Sequence, residues 1–353
     1  MVAIKPTDKK KKTRIGIVNV TGYAGAELAR LLYRHPMVEI TSVSGRSSAG
    51  KVLEEVFPHL ASLKLTISAN IDNVDLAFCA LPHKESAPVV SDLLDSGTRV
   101  IDISADYRLK DPSSYQSWYG CSHPNPKLLT EAVYGLPELH RASIATARLV
   151  ANPGCYSTSA ILGIAPLAKQ GMLSDAIIID SKSGVSGAGR TLSLKTHYCE
   201  VNESVNAYAL EGHRHLPEIE QELFGGVSTK PPITFVPHLI PMTRGILTTI
   251  YFRPKSGVLS GIDGVSELKS LYKEFYKGEH FVHIVEEPPH TKHTLGANNC
   301  LIYPTIDNRT GHIIIVSVID NLVKGAAGQA IQNTNIMLGL PETTGLETIP
   351  IYP

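Results

Sequence analysis

Three features of the sequence predict an α/β fold: an opening strand, glycine turn and helix; further strands of almost unbroken apolar residues; and a change of texture after Cys155. The first two describe a Rossmann-type nucleotide-binding domain, whose parallel sheet is covered on both faces. The third describes a second, α+β mixed-sheet domain.

A chain of 353 residues is too long for one ordinary core and suits two. The expected division is a disordered tail over 1–13, a nucleotide domain over 14–151 completed by a C-terminal helix in 321–353, and the second domain over 152–320. The tail is polar and carries Lys9, Lys10, Lys11 and Lys12, with neither the apolar centre of a secretory signal nor the amphipathic pattern of a transit peptide. Lys and Arg number 33, as do Asp and Glu, so no basic field nominates a nucleic acid. No apolar run approaches the roughly 18 residues that span a bilayer, so a membrane is not expected as a partner. The 5 cysteines stand singly, which fits neither a disulfide framework nor a zinc site and points to a reducing cytoplasm. A small molecule is therefore the expected partner.

Arg14 to Val20 reads as the first strand, followed by the turn Thr21-Gly22-Tyr23-Ala24-Gly25. A helix then runs from Ala24 to Arg34 with Ala24, Leu28, Leu31 and Leu32 inward. Gly22 and Gly25 let the backbone approach a pyrophosphate held at the helix N-terminus. Asn19 stands where the pattern calls for a glycine, so the match is Gly16, Asn19, Gly22, Gly25.

The second strand, Val38 to Val43, runs into Ser44-Gly45-Arg46-Ser47-Ser48, where an NAD site would place an acid for the ribose hydroxyl. Arg46 with the hydroxyls of Ser44, Ser47 and Ser48 suits a 2′-phosphate instead, so the expected cofactor is NADP(H). Strands at Val74 to Leu81 and Arg99 to Ser104 end in Leu81-Pro82-His83 and in the segment leading to Arg108, at the sheet edge where such folds bind ligands. Two readings of Arg108 stand: it clamps a substrate anion, or it pairs with Asp106 or Asp111.

Asn152-Pro153-Gly154-Cys155-Tyr156 sets a cysteine at a helix start. Asn152 is the expected cap and Pro153 the first helical residue, with Ala160, Ile161, Ile164, Ala165 and Ala168 forming the apolar stripe. In the first turn the helix dipole and free N–H groups favour the thiolate of Cys155, a candidate nucleophile. The alternative is a small buried residue in a turn.

Strands follow at Ala176 to Asp180, Gly245 to Phe252, Phe281 to Val285 and His312 to Ile319, and a glycine- and hydroxyl-rich loop at Lys182 to Arg190 can turn its N–H groups toward an anion. In Glu211 to Glu218, preceding a helical run from Ile219 to Phe224, His213 and His215 stand two apart. In an extended segment they share a face while Arg214 points elsewhere. Either imidazole can take a thiol proton and return it. A metal role lacks a third ligand at suitable spacing, so no metal is expected. Asp320 to Asn333 reads as a helix with small residues on one side, packing back on the first domain near the cofactor.

Gly22-Tyr23-Ala24-Gly25-Ala26-Glu27-Leu28, Leu81-Pro82-His83, Asp102 to Arg108, Tyr134-Gly135-Leu136-Pro137-Glu138, Asn152 to Tyr156, Lys182 to Gly189 and His213-Arg214-His215 together resemble the N-acetyl-gamma-glutamyl-phosphate reductases of the semialdehyde dehydrogenase family, over about Arg14 to Pro341. The resemblance implies an arginine-biosynthetic enzyme with a nucleotide domain and a catalytic and dimerisation domain, forming a homodimer or homotetramer. It would reduce N-acetylglutamyl 5-phosphate with NADPH to the semialdehyde and phosphate through a thioester. It makes Cys155 the nucleophile and His213 or His215 its acid/base partner, with His215 preferred. It also implies substrate contacts from Arg108, Asn152, Ser183, Gly184 and Arg214. Cofactor contacts would come from Thr21 to Gly25, Ser44, Arg46, Ser47, Ser48, Leu81, Pro82, Ser186, Gly187 and Asn321. The alternatives are a reductase of a related acyl phosphate (aspartyl, or acetylated or carrier-linked aminoadipyl) and a non-catalytic NADP(H) sensor switching through Cys155.

Overall fold

The computed structural model describes residues 11–173, 175–225, 230–255, 259 and 264–353. Most of the expected tail, residues 1–10, lies outside them. The first sheet contains β1 (Thr13–Val18), β2 (Val38–Ser44), β3 (Ile67–Ser68), β4 (Leu76–Cys79), β5 (Arg99–Asp102), β6 (Val133–Tyr134) and β7 (Leu149–Ala151). Its order is β3-β2-β1-β4-β5-β7-β6, and every pair is parallel. Ile15, Ile17, Leu76, Phe78 and Ile101 are fully buried, as strands covered on both faces require. The chain reverses its direction of travel across the sheet between β1 and β4, and the crevice outside their carboxyl ends is where such sheets bind ligands.

The second sheet contains β8 (Ile177–Gly184), β9 (Asn206–Ala207), β10 (Ile233–Ile240), β11 (Ile246–Phe252), β12 (Val282–Ile284), β13 (Cys300–Asp307) and β14 (His312–Ile319). Its order is β12-β13-β14-β11-β8-β10-β9, with parallel and antiparallel pairs mixed. The helices Cys155–Lys169, Leu216–Phe224 and Gly264–Phe275 share one core with the inward residues Ile177, Ile179, Ile250, Ile302 and Ile315. β8 runs further than the sequence suggests, because Lys182 to Gly184 pair with β10 on one side and Lys182 and Ser183 with β11 on the other. Ser183 and Gly184 are therefore sheet residues rather than loop residues.

After β14 the chain makes a wide π-helical turn, Val323–Ala327, then the helix Gly328–Met337. Helical structure stops there, so the expected helix across 321–353 is cut short, and Leu338 onward runs as turns and extended chain. The helix is buried on every side, not only along a stripe of small residues. Two of its buried amides donate inward, Gln329 and Asn333 both to the Gly135 carbonyl. Val323, Ala327, Ala330, Ile331 and Ile336 join the core of the first sheet. The buried carboxylate of Glu27, on the first helix, receives both Arg244 nitrogens at 3.0 and 2.9 Å and so ties the two sheets together.

Candidate active site

The helix Cys155–Lys169 begins at Cys155 itself, with Gly154 in extended geometry as the residue before it. Asn152 is thus not the cap, and Pro153 precedes the helix. Asn152 instead extends β7 by bonding its N–H to the Asp102 carbonyl, and its fully buried amide links Ala326 and Asn333. Cys155 faces the cleft, but burial pushes its thiol up to about 11. Arg108 and the N–H groups of Tyr156 and Cys155 pull the other way and lose. The expectation of a thiolate at rest is overturned: desolvation outweighs the helix terminus, and the thiol needs a base.

A histidine packs against the residue before it. The His215 ring lies against Gly154 so closely that a β-carbon there would sit 2.4 Å from Nε2. Nε2 faces Arg108 Nη1 at 3.4 Å and Glu218 Oε1 at 4.0 Å, while Nδ1 is buried with no partner among the described residues. Burial, then His213, Arg108 and Arg214, hold the imidazole well below its ordinary range and favour the neutral ring. The segment is a turn, not extended, with His215 in helical geometry. The two rings nevertheless meet, their centroids 4.7 Å apart. His213 stands behind His215, enclosed by Tyr156, Tyr208 and Phe235, and its Nδ1 accepts the His215 N–H at 3.2 Å.

Arg108 pairs with neither Asp106 nor Asp111. Its guanidinium donates to Glu218 at 3.0 Å and to the carbonyls of Asn152 and Ile103 at 2.8 Å each. Glu218, fully buried, also accepts from Tyr134 at 3.0 Å and from the Gly154 N–H at 3.1 Å. One carboxylate therefore fixes the residue before Cys155, the arginine and, through its own helix, His215. Sequence reasoning gave Glu218 no role. The available signal was its position three residues after His215, one helical turn on.

Cys155, His215 and Arg108 line a cleft of about 1200 Å³ that also holds the turn after β1. Thr21, Gly22, Tyr23 and Ala24 line it, as do Ser44, Arg46, Ser47, Leu81, Pro82, Ser186, Gly187 and Asn321. Asn19 adopts φ 62°, the left-handed conformation glycine would supply, and its amide donates to the Ala80 carbonyl at 2.8 Å. Gly25 does not line the cleft; a β-carbon there would lie 2.4 Å from the Asn19 carbonyl oxygen, so it lets the helix seat on the turn. No side chain caps that helix, which leaves its first N–H groups for an anion. Arg46 is exposed and pairs with Glu85 at 2.7 Å. Ser48, Asn152, Ser183, Gly184 and His213 are not on the cleft wall. The uncapped helix, the left-handed Asn19 and the Arg46 loop fit a dinucleotide phosphate.

A protein named N-acetyl-gamma-glutamyl-phosphate reductase from Dehalococcoides mccartyi is 58% identical over 347 residues, covering 97% of this chain and 100% of its own. The chain belongs to the N-acetyl-gamma-glutamyl-phosphate reductase family. A relative of the same name from Geobacter metallireducens is 52% identical over 352 residues, covering 96% and 99%. Residues 14–147 match the family description "Semialdehyde dehydrogenase, NAD binding domain", and 155–321 match "Semialdehyde dehydrogenase, dimerisation domain". Among solved structures, aspartate semialdehyde dehydrogenase with NADP from Candida albicans superposes with a TM-score of 0.70 at 15% identity, covering 93% of this chain and 99% of that one. The Vibrio cholerae aspartate semialdehyde dehydrogenase II complexed with ASA gives 0.68 at 15% identity, covering 94% and 99%. At that identity the likeness shows the fold alone.

Proposed function

We propose that this chain reduces N-acetyl-L-glutamyl 5-phosphate to N-acetyl-L-glutamate 5-semialdehyde and phosphate with NADPH, as a step of arginine biosynthesis. The observation that carries the reading is the convergence of Cys155, His215 and the nucleotide turn on one cleft.

His215, neutral and packed against Gly154, takes the proton of the Cys155 thiol. The sulfur attacks the acyl carbon, the carbon–oxygen bond to phosphate breaks, and the phosphate leaves with that electron pair and the proton from His215. The N–H of Cys155, in the first turn of its helix, stabilises the oxyanion at each tetrahedral stage. NADPH, when bound, supplies the hydride that reduces the thioester. Collapse of the resulting carbon–sulfur adduct frees the aldehyde, and a proton delivered through His215 restores the thiol. Proton transfer by such a histidine contributes roughly two to four orders of magnitude. Glu218 and Arg108 act as positioning residues, because Glu218 holds the Gly154 N–H and Arg108 holds the Asn152 carbonyl. Thr21 to Ala24 would hold the pyrophosphate, Ser44, Arg46 and Ser47 the 2′-phosphate, and Leu81, Pro82, Ser186, Gly187 and Asn321 the inner end of the cofactor.

We divide the chain into a nucleotide domain over 14–151, completed by the helix ending at Met337, and a catalytic domain over 152–320. The outer face of the second sheet carries Ile178, 46% exposed, and is the surface for assembly into a homodimer or homotetramer. No helix among the described residues is long and apolar enough to cross a membrane, and the cytoplasm is the compartment we assign.

The test supplies N-acetylglutamate semialdehyde and NADP⁺ and follows NADPH absorbance. Formation that requires phosphate supports the reading. Formation only from another semialdehyde, or none, contradicts it.

A further inference from the structure

We propose that the buried pair of Lys324 and Glu138 positions the π-helical turn Val323–Ala327 against Cys155, and that the bare backbone of Gly325 in that turn sets the sulfur for attack. Lys324 and Glu138 are positioning residues, acting through Gly325 and not on the substrate. The inference rests on the reading of Cys155 as the nucleophile of an acyl-phosphate reductase.

The turn is wound wider than an α-helix. The Gly325 N–H donates to the Asp320 carbonyl at 3.0 Å and the Ala327 N–H to the Leu322 carbonyl at 2.8 Å, each five residues earlier. Isolated π turns are rare and concentrate at functional sites. Here the wider turn brings Gly325 onto the cysteine: a β-carbon on Gly325 would lie 2.7 Å from Cys155 Cβ and 3.2 Å from its α-carbon. No side chain fits between them. The Gly325 backbone is the wall behind Cys155, and both residues line the cleft.

Both flanks of that wall are pinned. The Ala326 carbonyl accepts from the Asn152 amide at 3.1 Å. On the other flank, Lys324 does not line the cleft; its ammonium donates to Glu138 Oε1 at 2.7 Å and to Gln332 Oε1 at 2.8 Å. The side chains of Lys324 and Glu138 are wholly enclosed, and the second Glu138 oxygen has no hydrogen-bond partner among the described residues. A buried pair with one oxygen unmet is a poor source of stability, because well-packed apolar residues of similar volume commonly do as well or better. What it supplies is direction. Glu138 lies in the first turn of the helix Pro137–Thr146, just after β6, and β6 pairs with β7, the strand that leads into Cys155. The ammonium that must meet Glu138 therefore ties the π turn to the sheet edge that carries the cysteine.

The test replaces the pair by apolar side chains, Lys324→Met together with Glu138→Leu, so that no charge is left buried alone; Gln332 Oε1 keeps the Asn298 amide as a donor at 3.0 Å. Gly325→Ala is the second variant and leaves the pair intact. Steady-state kinetics with N-acetylglutamyl 5-phosphate and NADPH, melting temperature, and the rate of Cys155 alkylation by iodoacetamide without substrate are measured for each. The double variant is expected to melt no lower than the parent. Its kcat falls by roughly tenfold or more while the KM for NADPH changes little, as displacement of a reacting group produces. Its Cys155 is alkylated faster, because a loosened wall lessens the burial that pushes the thiol up. Gly325→Ala lowers kcat likewise. A parent-like kcat in either variant overturns the proposal, and so does a double variant that fails to fold, which would make the pair a support of the fold and nothing more. Alkylation needs no substrate and so separates this proposal from the function. A parent that does not turn over the acyl phosphate contradicts the function; the proposal is then upheld by faster alkylation in the double variant and overturned by an unchanged rate.

Discussion

The imidazole of His215 rests directly on the α-carbon of Gly154, with no room for a β-carbon between them. Glycine at this position lets the His215 ring reach the residue before Cys155. Gly154→Ala should displace the ring and lower kcat by roughly a hundredfold, the usual penalty for a misplaced catalytic group. Steady-state kinetics check this, with NADPH affinity expected to stay unchanged.

Glu218→Gln leaves Arg108 buried beside a neutral amide. Breaking a buried pair in this way costs about 3 kcal/mol or more. Denaturant unfolding should show that loss, and the activity should fall with it because the Gly154 N–H loses its charged acceptor. A variant as stable and active as the parent would remove Glu218 from the account.

With its thiol pushed up to about 11, Cys155 should react with iodoacetamide at a rate that keeps rising through pH 9 and 10 in the cofactor-free protein. Peptide mapping separates it from the exposed Cys199. A plateau between pH 7 and 8 would mean that the thiolate is the resting form.

His213 is pushed down to about 4 by burial and by Arg214. A depressed folded value means that the unfolded chain binds the proton more readily, so the stabilising contribution is full above an unfolded value of about 6.5 and is lost as pH falls toward 4. Melting temperature should drop over that window, and His213→Asn should flatten the drop. His215, shifted the same way, adds to the parent slope.

Arg46→Asp removes a partner of the 2′-phosphate and places a carboxylate beside Glu85. NADPH should bind at least tenfold more weakly, with NADH little changed, as measured by calorimetric titration. An unaltered ratio would place the 2′-phosphate elsewhere.

The local patterns were legible. The glycine turn, the helix that carries Cys155 in its first turn and the strand His312 to Ile319 follow from periodicity and turn residues, and Asn19 takes the left-handed conformation required of the missing glycine. Long-range relations were not. Arg108 has two acidic neighbours in sequence but pairs with Glu218, 110 residues away, because burial selects the partner and sequence proximity does not. The same burial reverses the expected acidity of Cys155: a helix terminus favours a thiolate only where solvent or a cation offsets desolvation. Asn152 looked like a cap by residue type, but the strand β7 continues through it.

The most direct measurement is intact-protein and peptide mass spectrometry after mixing the protein with N-acetylglutamyl 5-phosphate and no cofactor. The account predicts one N-acetylglutamyl group added at Cys155, discharged on adding NADPH and absent from Cys155→Ser. An unmodified Cys155 under conditions where the complete mixture turns over would contradict it.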